Sequence, residues 1–113
     1  MAQSTTRSVQ LTLSLPNAGT TIIELAGVSI HATNSNGKFE FDDDLNLPGK
    51  GVFTIDSSVV AHTDWKYSLK VDGKEFKGEG TTKPEQFQNG KWHYKSDTLD
   101  WSTAPAANAG ETA

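Results

Sequence analysis

The chain has 113 residues, a length that corresponds to one domain, and it contains no cysteine, which excludes disulfide bonds, a thiolate metal site and a cysteine nucleophile. Its net charge of -4 and pI near 5.2 argue against a nucleic-acid partner, because phosphates favour clustered Lys and Arg. No apolar run is long enough to span a bilayer, and the N-terminus lacks the apolar core of a signal peptide, so we expect either a cytoplasmic protein or the mature form of a secreted one.

Alternation of apolar and polar residues begins at SVQLTLSL, residues 8–15, and is the pattern of strands that bury one face. No stretch of the sequence shows the periodicity of an amphipathic helix. Small polar residues dominate segments 1–7 and 102–113, which cannot bury enough surface to offset their ordering entropy and are expected to be flexible. A single domain is therefore predicted over residues 8–101.

The dipeptide Asn36-Gly37 predicts the first hairpin, because a type I′ turn requires positive φ at both central positions and these residue types adopt it readily. With a two-residue loop, the apolar members of the two strands share one face. The predicted register is Asn34 with Phe39, Thr33 with Glu40, Ala32 with Phe41 and His31 with Asp42.

The stretch GVSIHATNSNGKFEFDDDLNLPGKGVFTI, residues 27–55, contains this hairpin and a further turn at LPGKG. A strand, an Asn-Gly turn, an F-x-F strand and an L-P-G-x turn follow one another in it. In this order of elements the stretch resembles repeats of transthyretin-like and other immunoglobulin-like domains. The resemblance implies a sandwich rather than a closed barrel, and it carries no functional residue over to this chain.

The dipeptide Asp72-Gly73 predicts a second hairpin between DWKYSLKV and KEFKGEGT. Its register puts the large rings on one face opposite two glycines, and it puts two Lys–Glu pairs on the other face, each worth roughly 0.2–1 kcal/mol. A slip by one residue would exchange the two faces, so the register is well specified. The predicted pairs are Val71 with Lys74, Lys70 with Glu75, Leu69 with Phe76, Ser68 with Lys77, Tyr67 with Gly78, Lys66 with Glu79 and Trp65 with Gly80.

The dipeptide Asn89-Gly90 predicts a third hairpin within FQNGKWHYKSDTLDW, a stretch rich in aromatic residues. Phe87 and Trp92 face each other on one side and are interpreted as core. The alternation changes phase after Tyr94, which predicts a bulge or turn at Ser96-Asp97. The opposite side is predicted to carry Gln86 facing His93 and Gln88 facing Lys91, with Glu85 facing Tyr94 on the first side.

Together these patterns predict an all-β fold, an immunoglobulin-like antiparallel β-sandwich of seven to nine strands with little or no helix. The spacing of His31, His62 and His93 favours surface histidines over a zinc site, and Asp42 to Asp44 lack the order of a calcium-binding loop. No nucleophile motif, phosphate loop or pair of carboxylates in a cleft is recognisable. We therefore expect no catalysis, no cofactor and no metal.

The remaining hypotheses concern binding, and the leading one is a carbohydrate-binding, lectin-like module whose exposed rings stack on sugars and whose polar groups bind hydroxyls. An alternative is a structural or assembly subunit of a capsid, appendage or surface, in which sheet edges pair with other copies. A further alternative is a toxin-like protein that contacts membranes through Trp92, Tyr94 and Trp101. The candidate ligand-binding residues are Trp65, His62, Gln86, Gln88, Lys91, His93, Tyr94 and Trp101.

Overall fold

The computed structural model describes residues 5–102, which form strands joined by tight turns and one short 3-10 helix at Pro84–Gln86. The strands are β1 (Thr5–Ser14), β2 (Thr21–Leu25), β3 (Val28–Ser29), β4 (Thr33–Ser35), β5 (Lys38–Leu47), β6 (Lys50–Gly51), β7 (Phe53–Ser57), β8 (Asp64–Val71), β9 (Lys74–Thr81), β10 (Phe87–Gln88), β11 (Lys91–Lys95) and β12 (Leu99–Asp100).

Two five-stranded antiparallel sheets pack face to face. The first has the order β4-β5-β1-β8-β9 and the second the order β10-β11-β7-β2-β3, while β6 and β12 pair separately. This confirms the predicted antiparallel sandwich. Four of the twelve strands have only two residues, and the eight longer ones agree with the predicted seven to nine.

The register of the second predicted hairpin is confirmed, because β8 and β9 pair as predicted from Trp65 with Gly80 to Val71 with Lys74. The Glu75 carboxylate accepts a hydrogen bond from Ser68 and lies 3.9 Å from the Lys77 amine, so its contacts are not the predicted one with Lys70. The turn residues Asp72 and Gly73 have φ of 51° and 86°. The ring of Tyr67 lies against the backbone of Gly78, where a Cβ would be 2.4 Å from the Tyr67 Cε2 atom. Glycine is therefore required at this position for the ring to cover the strand.

The other two hairpins form at the predicted turns but are shorter than predicted. β4 begins at Thr33, so Ala32 does not pair with Phe41 and His31 does not pair with Asp42. β10 pairs with β11 only through Phe87 with Trp92 and Gln88 with Lys91. The predicted pairs of Glu85 with Tyr94 and Gln86 with His93 are wrong.

The third hairpin ends early because residues 84–86 form the 3-10 helix, which Pro84 begins. Proline has no backbone N–H to donate to a ladder, and it fixes φ at a value that suits a helix start. The Gln86 side-chain oxygen accepts a hydrogen bond from the Lys83 N–H at 2.9 Å, which closes this turn. On its other side β11 pairs with β7, from Trp92 with Ser57 to Lys95 with Thr54.

The N-terminal boundary of the domain also lies earlier than predicted. β1 begins at Thr5, which pairs with Leu47, so residues 5–7 belong to the sheet and not to a flexible segment. Arg7 donates to the Asp72 carboxylate at 3.1 Å, and the Ser8 N–H donates to the same carboxylate at 3.0 Å. The predictions for residues 1–4 and 103–113 lie outside the described residues.

Candidate functional site

The aromatic residues between the two sheets form one packed cluster. The ring centroids of Trp65 lie 5.3 Å from those of Trp92 and 4.8 Å from those of Tyr94, and the rings of Phe53 and Tyr67 are 4.6 Å apart. Trp65 is 8 % exposed and Trp92 is fully buried. This confirms the interpretation of Trp92 as core and places Trp65, a candidate ligand-binding residue, inside the sandwich.

Trp101 is also fully buried, at the end of the sandwich closed by β6 and β12. Its indole N–H donates to the Pro48 carbonyl at 2.6 Å, and its ring meets Phe76 edge-on at 6.4 Å between centroids. Neither Trp101 nor Trp65 presents a ring face to solvent. Neither the surface expected to stack on sugars nor the surface expected to contact membranes therefore presents a tryptophan ring to solvent.

Gln86 contacts the buried aromatic cluster through its side-chain oxygen. Its side-chain oxygen accepts from the Trp92 indole N–H at 2.9 Å, in addition to the Lys83 N–H. This partner offsets the roughly 1–3 kcal/mol that an unpaired buried indole N–H costs, whereas the buried indole N–H of Trp65 has no partner among the described residues. Alternation alone had suggested that Gln86 points away from Trp92, and the 3-10 helix reverses this.

The hydroxyls of Tyr67 and Tyr94 are 2.9 Å apart and hydrogen-bond across the cluster. Tyr67 is buried, and Tyr94 is half-buried. Burial, and secondly the hydrogen bond with Tyr94, raise the pKa of Tyr67 far above its ordinary value of 10.0. The folded structure therefore favours the neutral phenol over the phenolate.

This pKa shift predicts a loss of stability in alkali. Above about pH 10 the unfolded chain releases the Tyr67 proton while the folded chain keeps it, so the free energy of unfolding falls by up to about 1.4 kcal/mol per pH unit. Urea denaturation between pH 9 and pH 12 should show this slope in the wild type. In Tyr67→Phe the free energy of unfolding should fall less steeply with pH, by the contribution of roughly one proton. Equal slopes in the two proteins would contradict the burial of this phenol.

A polar depression of about 520 Å³ lies on the outer face of the second sheet, beside the 3-10 helix. Four candidate residues line it, namely Gln86, Gln88, His93 and Tyr94. The His93 Nδ1 atom contacts the Asp56 carboxylate, which forms an ion pair when the imidazole is protonated. Glu24 and Glu85, which the sequence did not single out, also line it.

The other candidate residues lie elsewhere. Lys91 is half-buried on β11 opposite Gln88, but it does not line the depression. His62 is exposed in the connection between β7 and β8, where it adopts a φ of 67° and its N–H donates to the Thr82 carbonyl at 2.7 Å. The eight candidates thus do not form one site.

Within residues 5–102, no three His, Cys, Asp or Glu side chains come close enough together to hold a metal ion. In the acidic run, the Asp44 N–H donates to the Asp43 carboxylate at 2.8 Å. Over the same residues, no helix is long and apolar enough to cross a membrane.

β9 is a border strand of the first sheet, and within residues 5–102 one side of its backbone has no neighbouring strand. A two-residue loop makes Val71 and Lys74 a hydrogen-bonded pair, so the backbone groups of every second residue from Lys74 onwards point to β8. The N–H and C=O groups of Glu75, Lys77 and Glu79 therefore point away from the sheet. No described strand pairs with them, and we call this outward-facing backbone the β9 edge.

Sequence reasoning identified the β9 hairpin but not its open border. The turn and the alternation predict which residues face β8, since both are local signals. Whether another strand covers the opposite side depends on the order of strands in the sheet, which is set by long-range pairing.

Comparison with known proteins finds no match, whether among protein-family models, curated proteins or solved structures. A function for the chain must therefore be argued from its own surfaces.

Proposed function

We propose that the chain is a non-catalytic assembly subunit that associates with copies of itself through the β9 edge. The observation that carries this proposal is an eight-residue border strand with no described strand on its outer side. A row of unpaired N–H and C=O groups is a template for pairing with another chain. Burying such groups in a new ladder satisfies them without any new pocket.

The opposite border of the same sheet is less suited than β9 to pairing with another chain. β4 pairs only with the first residues of β5, and no described strand pairs with the segment from Phe41 to Leu47 on that side. Asp43 lies opposite Val9, a core residue, and therefore faces the inner side of the sheet. An inward-pointing charge on a border strand opposes edge-to-edge pairing, because a neighbouring strand would desolvate the carboxylate.

Replacing Lys77 with proline tests the β9 edge. The Lys77 N–H points away from β8, so proline should leave the β8–β9 ladder intact, as it does on border strands generally. It removes one donor that each copy offers to the other and obstructs close approach. We expect the association constant to fall by at least about tenfold, measured by sedimentation equilibrium over a range of concentrations.

Lys77→Thr is the matched control, because it removes the same charge but keeps the backbone N–H and a residue that favours strands. It should associate more strongly than Lys77→Pro. Near-ultraviolet circular dichroism should show the packed aromatic cluster in both variants. A wild-type chain that stays monomeric up to millimolar concentration would contradict assembly through this edge.

A second candidate function is carbohydrate binding in the depression beside the 3-10 helix. The supporting observation is that Gln88, His93 and Tyr94 line this depression together with carboxylates that can accept hydrogen bonds from sugar hydroxyls. Because Trp65 and Trp101 are buried, recognition would use hydrogen bonds and not ring stacking. Titration with a panel of soluble oligosaccharides, followed by the NMR signal of the His93 imidazole, tests it. No perturbation by any sugar would exclude this candidate for the sugars used.

A further inference from the structure

We infer that two copies join β9 to β9 in antiparallel orientation about a two-fold axis at Gly78, so that Lys77 of each copy lies opposite Glu79 of the other. This inference rests on the proposed self-association and adds its geometry. The partner is a second copy of this chain, and the contact continues the first sheet across the two-fold axis.

The register follows from the charges on the β9 edge. Glu75, Lys77 and Glu79 have outward backbone groups, and their side chains lie on the outer face, since their neighbours Phe76 and Gly78 lie opposite the core residues Leu69 and Tyr67. In a symmetric ladder, outward residues must pair with outward residues. The alternating signs of these three side chains therefore distinguish one possible register from the next.

A two-fold axis at Lys77 would place like charges opposite each other, with Lys77 facing its own copy and Glu75 facing Glu79. An axis at Phe76 would pair Glu75 with Lys77, but it would place Glu79 opposite Gly73, which lies in the turn. An axis at Gly78 pairs Lys77 with Glu79 twice. Like charges directly opposite destabilise a ladder and opposite charges stabilise it, so the Gly78 axis is favoured.

The Gly78 axis also keeps the pairing within the strand, because Glu75 then lies opposite Thr81, the last residue of β9. On the inner face, Phe76 of one copy lies opposite Gly80 of the other. A ring facing a glycine repeats the relation between Trp65 and Gly80 within one chain. The two backbones approach at Gly78, which has no side chain to separate them.

Three features of the existing side chains are compatible with this arrangement. Lys77 is 71 % exposed in its side chain, and its amine is 3.9 Å from the Glu75 carboxylate, a weak surface pair that can be exchanged. Glu79 is exposed. The Ser68 hydroxyl donates to the Glu75 carboxylate at 2.7 Å, which holds Glu75 toward β8.

Charge reversal tests the register. In Lys77→Glu the introduced carboxylate lies opposite Glu79 at both symmetry-related positions, and in Glu79→Lys two amines lie opposite Lys77. Each variant alone should associate at least about tenfold more weakly than the wild type. An equimolar mixture of the two variants brings opposite charges together at both positions, and its association should return to within about threefold of the wild type.

Lys38→Glu is the matched control on β5, the strand next to the other border of the same sheet. Lys38 is exposed on a strand and lies 3.6 Å from Glu40, much as Lys77 lies near Glu75. Its association should equal that of the wild type. A loss as large as in Lys77→Glu would show that net charge, and not the register, governs association, and would overturn the inference.

The outcomes separate this inference from the proposed function. If the wild type self-associates and Lys77→Pro does not, but the mixture of charge variants fails to recover, then assembly through the β9 edge stands and the Gly78 axis is wrong. If the wild type does not self-associate, both are wrong. Recovery in the mixture, without recovery in either variant alone, supports both.

Discussion

Trp101→Ala is expected to lower the free energy of unfolding by about 3–5 kcal/mol, as removal of a large buried ring generally does. Trp101 is fully buried, and its indole N–H and backbone N–H donate to the carbonyls of Pro48 and Gly49 at 2.6 and 3.2 Å. The substitution leaves a cavity beside Phe76 and an unpaired carbonyl at Pro48. Since a domain of this size has a total stability of about 5–15 kcal/mol, the variant should be near its unfolding threshold at physiological temperature.

Urea denaturation followed by far-ultraviolet circular dichroism measures this loss. Trp101→Phe is the matched variant, because it keeps a buried ring but removes the indole donor, and its loss should be smaller. Gln88→Ala, at an exposed residue of β10, should stay within about 0.5 kcal/mol of the wild type. A loss below about 1 kcal/mol for Trp101→Ala would mean that β12 is not docked as described.

Gly37→Ala is expected to destabilise the fold far more than Gly73→Ala, although both glycines end two-residue turns with φ of 87° and 86°. A Cβ at Gly37 would lie 2.7 Å from the Leu15 carbonyl oxygen and 2.8 Å from the Pro16 Cα, and both are backbone atoms. A Cβ at Gly73 would meet nothing within 4 Å. The left-handed φ costs about 1–2 kcal/mol in either case, and overpacking at Gly37 adds about 1–3 kcal/mol.

The comparison between the two variants isolates the packing of the first turn against the end of β1. The Leu15 N–H donates to the Gly37 carbonyl at 2.8 Å, so the backbones cannot separate without losing this hydrogen bond. Denaturation midpoints of the two variants, measured under the same conditions, give the difference directly. Equal losses would show that the chain at Leu15 and Pro16 yields to the added methyl group.

Local signals predicted the parts of the fold that depend on neighbours in sequence. The three Asx-Gly turns have the expected positive φ, and the β8–β9 register follows from its turn over the whole strand. A fourth turn of this kind, Ala26-Gly27 between β2 and β3, was missed. Alanine seldom adopts positive φ, so nothing in the residue types marks the first position of that turn.

The lengths of the other two hairpins could not be predicted, because a turn dipeptide fixes the register of a hairpin but does not say how far the pairing extends. β10 pairs with β11 only through Phe87 and Gln88, since residues 84–86 form the 3-10 helix. On its other side β11 pairs with β7, which is more than thirty residues away in sequence, and no local pattern contains that pairing. Pro84 is a local signal for the start of the 3-10 helix, which alternation alone does not take into account.

The candidate site was predicted least well, since alternation assigns a residue to a face but does not say what covers that face. Trp65 shares its face with Tyr67 and Leu69, as predicted, and the second sheet buries it. Trp101 follows the change of phase after Tyr94, where the pattern is too short to assign a side. The third turn alone predicts that Gln88 and His93 face outward, and both are exposed.

Asp43 has a consequence for the size of any assembly built on the first sheet. Growth of a fibre requires that each copy has two border strands able to pair with other copies, so that every added molecule leaves one such border unpaired. With a carboxylate on the inner side of β5 and only three residues in β4, one border resists addition. In the first sheet, two copies joined at β9 would therefore present only the borders formed by β4 and β5, and growth along this sheet would stop at the pair.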